Sequence, residues 1–461
     1  MTVNSGTPAN DMNILLIICD TLRADHLGCY GYFRDTSPNF DRLAREGVQF
    51  QRYYAAGVPT GLSFTSIHTG LRPIHHRVYN ISPPDLVLDH VPTLAEILRA
   101  GGYRTVAFDN LAHCRTWCQD PVHFYRGFEH YICDVSNPRD WDAWGESVRA
   151  EWYTSRLIHW MESNIDEPFF AFVHLWDVHQ PYVQPEPFRH CFRHEPGDLS
   201  DLLIEEANAG YTYVPGWGKL DEIYEEHGVY RKIKSWGGVP RREASIDCYD
   251  GAIRYLDQCI GEVLQSMERL NLLDRTLIMV TADHGELLGQ HGLYGHLTAY
   301  EANVRIPLIL RYPDRIPTGR ILTGLASTID LLPTITDLTK LTSPAGVDGK
   351  SLLPLLAGEP VHDRLVCDEG CGVRCLITDP WKLIHYYDDG TTELFHLRDD
   401  PMEVHDLASQ RSDIRVSLEE TLETWVAQTL AGVRKDPIED VGRNFDRKFL
   451  YDRISMKNYL P

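Results

Sequence analysis

From Thr276 the chain reads Thr276-Leu277-Ile278-Met279-Val280-Thr281-Ala282 and then breaks into Asp283-His284-Gly285-Glu286. A short unbroken run of apolar and β-branched residues is the pattern of a strand buried on both faces. Such strands belong to parallel sheets covered by helices. Functional groups in open sheets of this kind collect just beyond the carboxyl ends of the strands. Asp283 and His284 therefore stand as two neighbouring metal ligands, with His296 close enough in sequence to return to the same crevice. The plainer alternative makes Asp283 the cap of a following helix and His284 a polar neighbour.

The rest of the chain alternates in the same way. Asn13 to Cys19 reads as a buried strand ending in Asp20, and Pro38 to Gly47 as a helix closed by glycine. Val48 to Tyr54 follows as one strand, and Pro59-Thr60-Gly61-Leu62-Ser63 turns into a helix that ends near Thr69-Gly70. Thr93 to Ala100 is helical, Arg104 to Phe108 extended, and the strand from Pro168 to Leu175 carries His174, Asp177 and His179 at its end. Tyr249 to Leu270 has one apolar stripe at helical spacing. This alternation predicts an α/β fold, a doubly wound, mostly parallel sheet with helices on both faces. Residues 185–240 break the rhythm and read as an insertion or lid. From His362 short alternating strands predict a smaller antiparallel subdomain, with Trp381 to Tyr387 and Glu393-Leu394-Phe395 as a hairpin. The expected division is 1–361 for a catalytic domain and 362–461 for a subdomain with a tail that is a candidate surface for homo-oligomer formation.

A length of 461 residues gives ample core for this arrangement. The formal charge of −22 argues against nucleic acid or an anionic membrane as partner. It also means that a small anionic substrate needs local positive charge, most simply a metal. No apolar run approaches a membrane span, and the start of the chain lacks the basic, then apolar, pattern of a secretory signal. Eleven scattered cysteines read as reduced thiols and a cytoplasmic setting. Cys367, Cys371 and Cys375 are spaced by four, which is not a zinc-knuckle spacing, and their segment reads as a strand.

Four strand ends thus supply Asp20, Thr60, His179 and the pair Asp283-His284, with His296 nearby. Each has a bland reading: Asp20 and Thr60 are both good helix caps. Together they make a site for a metal-activated nucleophile. Two carboxylates and an imidazole hold one divalent cation, which depresses the pKa of a coordinated hydroxyl. Thr60 at a helix N-terminus gains from the dipole. His179 and His296 are suited to bind the anion and protonate a leaving oxygen.

The chain resembles the sulfatase branch of the alkaline phosphatase superfamily. The resemblance is carried by Asn13 through Cys19-Asp20-Thr21-Leu22-Arg23 to Gly31, Ser37-Pro38-Asn39-Phe40-Asp41-Arg42-Leu43, Thr69-Gly70 and Pro92-Thr93-Leu94-Ala95. Asp177-Val178-His179-Gln180-Pro181-Tyr182, Ala282-Asp283-His284-Gly285 and Trp381-Lys382-Leu383-Ile384 continue it. It implies an alkaline phosphatase-like fold with a small C-terminal sheet, and hydrolysis of sulfate or phosphate esters.

Departures from the family pattern narrow the expectation. Sulfatases carry a Cys or Ser, matured to formylglycine, in a Cys-x-Pro-Ser-Arg cassette. Family spacing puts Thr60 at the nucleophile position and Phe64 where the arginine belongs. Thr21 replaces a second aspartate, Asp283-His284 replaces Asp-Asn, and Asn110 and His296 stand at the two lysine positions. Threonine cannot become formylglycine. The pattern is closer to Thr-nucleophile phosphodiesterases, phosphonate monoester hydrolases and phosphoethanolamine transferases. Exchanging an oxygen ligand for imidazole shifts the expected metal from calcium toward zinc or manganese. The expected metal set is Asp20, Thr60, Asp283 and His284; the catalytic set is Thr60, His179 and His296; Asn110, His179 and His296 bind substrate. Three functions stay open: phosphate-ester hydrolysis through a phospho-threonine, formylglycine-independent sulfate-ester hydrolysis, and a silent anion-binding protein. In the last, alignment on Pro59 places Gly57 at the nucleophile position.

Overall fold

The computed structural model describes residues 11–79, 90–109, 111, 122–133, 149–179, 182, 184–192, 242–430 and 435–443. An eight-stranded sheet runs in the order Arg320–Leu322, Val48–Phe50, Leu308–Arg311, Thr276–Thr281, Asn13–Cys19, Phe169–Leu175, Arg104–Phe108, His130–Ile132. All its pairings are parallel except the two made by Leu308–Arg311. Four strands position the site: β1 (Asn13–Cys19), β2 (Arg104–Phe108), β3 (Phe169–Leu175) and β4 (Thr276–Thr281). Every residue of β1, β3 and β4 is buried, as their largely apolar runs require.

Helices cover both faces. Along β3 the period of two separates the two sides. Phe169 meets Trp160 of one helix, Ala150–Ser163, edge-on. Phe172 and His174 instead face Phe64 of helix α1 (Thr60–Thr69). The helix Leu94–Ala100 opens with a capping box in which Thr93 and Glu96 satisfy each other's backbone N–H groups.

Several elements differ from the reading of the sequence. Val48 to Tyr54 is two strands: Val48–Phe50 joins the main sheet, while Tyr53–Tyr54 lies between Arg305–Ile306 and Ala326–Ser327 in a separate sheet. The run Val48-Gln49-Phe50-Gln51-Arg52-Tyr53-Tyr54 carries no break signal to reveal that the chain changes partners midway. The long helix runs Arg242–Arg269, starting earlier than its apolar stripe suggests. No helix follows Asp-His-Gly; Leu287–Leu288 is extended and pairs with Tyr294–Gly295. Asp283 is therefore not a helix cap.

The second sheet runs Thr392–His396, Trp381–Tyr386, Val373–Ile377, Leu365–Glu369, all antiparallel, and the expected hairpin is present. Its fifth strand, Gly57–Val58, comes from just before α1 and pairs parallel to Leu365–Glu369. The cysteine segment is a hairpin rather than one strand: Cys367 faces Cys375 as a thiol, with Cys371 at the turn. Among the described residues no helix is long and apolar enough to cross a membrane. Residues 193–240 of the expected insertion and the tail from 444 lie outside the described residues, as does Asn110.

Candidate active site

Asp20 follows the last residue of β1, and Asp283 and His284 follow β4 after Ala282, so two adjacent parallel strands bring them to one edge. All three are fully buried, and one ligand atom from each lies within 4.8 Å of the others. Asp283 Oδ1 is committed to two backbone donors, Thr21 N at 3.1 Å and His284 N at 2.8 Å. That leaves Oδ2 facing inward. Neither Asp283 Oδ2 nor Asp20 Oδ1 has a hydrogen-bond donor, although both are buried. A buried carboxylate oxygen without a donor is costly unless a cation satisfies it.

The His284 ring is oriented for the same purpose. Its Nδ1 donates to the Gly285 carbonyl at 3.0 Å, which fixes the tautomer and turns the Nε2 lone pair toward Asp283 Oδ2, 3.3 Å away. Burial, and then the charge of His296, push its pKa down to about 3, so the ring is neutral. The two carboxyls behave oppositely. Burial pushes Asp283 up, and the neighbouring Asp20 charge adds to this. Burial also acts against ionised Asp20, but the hydrogen bond from His174 and the charges of His179 and His174 outweigh it and hold this carboxyl below the usual range. One carboxyl of the pair is thus short of positive charge, and the donor set of two carboxylates and an imidazole fits a divalent cation.

Thr60 is the first residue of α1, and Pro59 before it makes no side-chain cap. Its hydroxyl does not cap the helix; it donates to His284 Nε2 at 3.1 Å. Ser63, one turn on, donates to the Asp283 carbonyl at 2.7 Å and pins the helix start to the end of β4. Gly57 lies in the strand shared with the second sheet, and a Cβ there would press on Leu62. Of the two alternative nucleophile positions, only Thr60 borders the ligand set. Thr21 contributes no ligand: it sits at φ 58°, and its hydroxyl donates to the Val178 carbonyl at 2.8 Å.

His179 and His296 come together over the set. The His296 ring stacks on His284 at 4.6 Å and lies 5.2 Å from His179. Sequence reading missed Glu286, a fully buried carboxylate whose Oε1 is 3.3 Å from His296 Nδ1. Burial pushes the His296 pKa down, but the Glu286 charge and hydrogen bond more than offset it and raise it. It also left Asp109 unnamed. This residue, at the end of β2, faces His174 Nδ1 at 2.7 Å, while His174 Nε2 faces Asp20 Oδ2 at 3.3 Å. The only local signal for either was an acidic residue just past, or shortly after, a strand end.

A protein-family model described as Sulfatase matches residues 12–341. The chain belongs to the sulfatase family. A second model, described as N-sulphoglucosamine sulphohydrolase, C-terminal, matches residues 289–428. Among curated relatives of this sulfatase-family chain is an N-acetylglucosamine-6-O-sulfatase of Bacteroides thetaiotaomicron, 25% identical with 89% of this chain and 86% of the relative covered. A multifunctional alkaline phosphatase superfamily protein of Trinickia caryophylli is 29% identical, covering 76% and 78%. The phosphonate monoester hydrolase of Agrobacterium radiobacter has the same fold, with a TM-score of 0.70 at 23% identity over 90% of this chain and 96% of that one. The chain is thus a hydrolase of the sulfatase family, with a candidate metal set in Asp20, Asp283 and His284.

Proposed function

We propose that this sulfatase-family hydrolase cleaves phosphate esters, diesters and phosphonate monoesters ahead of monoesters, with Thr60 as nucleophile. The observation that carries this reading is the Thr60 hydroxyl at 3.1 Å from His284 Nε2, beside two buried carboxylate oxygens without donors. The multifunctional relative and the fold shared with a phosphonate monoester hydrolase support it. Asp20, Asp283, His284 and the Thr60 oxygen would hold one zinc or manganese ion, which when bound makes the threonine hydroxyl more acidic and offsets charge on the ester.

Thr60 attacks phosphorus as its alkoxide, the hydroxyl proton having been released to solvent; the Oγ–P bond forms as the P–O bond to the leaving group breaks, and the alkoxide returns when the phospho-threonine is hydrolysed. His296, turned by Glu286 so that Nε2 is its outer nitrogen, gives its proton to the departing oxygen. Water then attacks the phospho-threonine, its proton passes to neutral His296, and the Oγ–P bond breaks. His179, 5.2 Å from His296, binds the non-bridging oxygens. The substrate is a small anionic ester, and the buried thiols Cys19, Cys259, Cys367 and Cys375 support a cytoplasmic setting.

Sulfate-ester hydrolysis is the second reading, favoured by the sulfatase names among the relatives. Side-by-side turnover of aryl phosphate, phosphodiester, phosphonate monoester and sulfate tests both. Diester or phosphonate is expected to be fastest, and Thr60→Ala to lose at least about 10³-fold on every substrate. His296→Ala should lose roughly 10²–10⁴-fold, less for nitrophenolate leaving groups, which need no proton. Faster sulfate turnover would reverse the substrate order. A Thr60→Ala variant near the wild-type rate would remove Thr60 as nucleophile, and no turnover by the wild type would favour the silent anion-binding protein.

A further inference from the structure

We propose that His174 is a positioning residue for Asp20, clamped from behind by Asp109, so that an Asp109–His174–Asp20 relay fixes which Asp20 oxygen faces the metal. The inference rests on the reading of Asp20 as a metal ligand. Three adjacent parallel strands build the relay. His174 lies beside Ile18 in the register of β3 with β1, two residues before Asp20 on the same face. Asp109 follows Phe108, which pairs with Val173.

All three side chains are buried, at 0%, 0% and 1% exposure for Asp20, His174 and Asp109. Each imidazole nitrogen meets a carboxylate: Nδ1 meets Asp109 Oδ1 at 2.7 Å and Nε2 meets Asp20 Oδ2 at 3.3 Å. Carboxylate oxygens only accept, so both nitrogens donate. Asp109 is itself fixed by Tyr131 and by the Leu111 N–H. The ring has no room to turn, because Phe64 lies 4.5 Å from it and Trp176 4.6 Å.

Two consequences follow for the site. With Asp20 Oδ2 occupied by His174, Oδ1 is the oxygen left for the cation, and it is the one without a donor. Phe64 of α1 packs on the ring and has no polar atom to offer, so the donor to Asp20 Oδ2 comes from His174 of β3. Hydrogen-bonded partners of metal ligands commonly change affinity by 10–100-fold when removed.

Chelator-stripped protein titrated with zinc or manganese alone, in competition with a chromogenic chelator, tests this. His174→Ala is expected to weaken metal binding about 10–100-fold. His174→Gln, which keeps one donor toward Asp20, should lose less. Asp109→Asn should weaken binding while retaining side-chain shape, and it carries the test if His174→Ala does not fold. Phe172→Leu, in the same aromatic cluster but outside the relay, should lower Tm and leave affinity within about twofold. Unchanged affinity in folded His174→Ala or Asp109→Asn, or equal loss in Phe172→Leu, would overturn the relay. Wild-type protein that binds neither metal would instead overturn Asp20 as a ligand, and the relay's role with it.

Discussion

Glu369 shows what burial does to one carboxyl in this protein. It is fully buried; Oε2 accepts the Cys371 N–H at 3.0 Å and Oε1 has no donor. Burial pushes its pKa up to about 8, against weaker opposition from the Cys371 hydrogen bonds and the His296 charge. The native state therefore keeps a proton that the unfolded chain releases near pH 4.5. Between that pH and about 8 the native state binds more protons, so stability falls as pH rises and levels off above. Glu369→Gln mimics the protonated form and removes this slope. Its Tm should match wild type near pH 5 and exceed it near pH 8.5, by on the order of 4 kcal/mol in stability. Parallel Tm–pH curves for the two proteins would show that Glu369 ionises freely. The same rule, read the other way, explains His284: a buried imidazole stays neutral and keeps the lone pair a metal needs.

Elements matter here through their ends. The turn after β4 carries Asp283 and His284, and it is shaped by Gly285, whose N–H donates to the Asn303 carbonyl at 2.7 Å. A Cβ on Gly285 would collide with the Ala302 carbonyl oxygen and approach the Arg23 side chain. Both neighbours are held: Ala302 belongs to the short helix Glu301–Val304, and Arg23 donates to the Glu286 carbonyl at 3.1 Å. Gly285→Ala should therefore cost about 1–3 kcal/mol of stability and weaken metal binding, because the turn must move with Asp283 and His284 on it. Calorimetric melting and metal titration of the same variant check this. Full metal affinity would mean that the turn absorbs the methyl without shifting His284. Helix α1 is placed with equal care, since the strand Gly57–Val58 fixes its approach and Ser63 ties its first turn to the Asp283 carbonyl.

At the scale of the molecule the two sheets are joined around the site. Gly57–Val58, immediately ahead of Thr60, is a strand of the second sheet. Lys382 of that sheet, fully buried, reaches Glu301 at 3.0 Å and Glu403 at 2.8 Å, and Tyr300 donates to Glu393 at 2.9 Å. A ligand on the Asp20, Asp283 and His284 set bridges strand ends that are distant in sequence, so its binding stabilises the whole fold by mass action. Removing metal with a chelator should lower Tm and abolish turnover. Zinc or manganese at about 100 times Kd should restore about 2.7 kcal/mol. Protein purified without chelator should carry one equivalent of zinc or manganese by elemental analysis. Calcium at one equivalent, or a Tm indifferent to chelator, would contradict the assignment.

What the sequence determined by itself is local. Largely apolar runs made β1, β3 and β4 buried strands, Thr93 to Ala100 read as a helix, and the residues after the strands held Asp20, Thr60, His179, Asp283, His284 and His296. Side-chain periodicity and capping act over a few residues, so they are readable along the chain. Tertiary structure decided who faces whom. Asp109 and His174 are 65 residues apart, and only the strand order sets them side by side. Glu286 became the partner of His296 because the chain folds back after Leu287–Leu288. The second sheet borrowed Gly57–Val58, and Val48 to Tyr54 divided between sheets, for the same reason. Strand neighbours are chosen by packing across long crossovers, and no short window of sequence contains that choice.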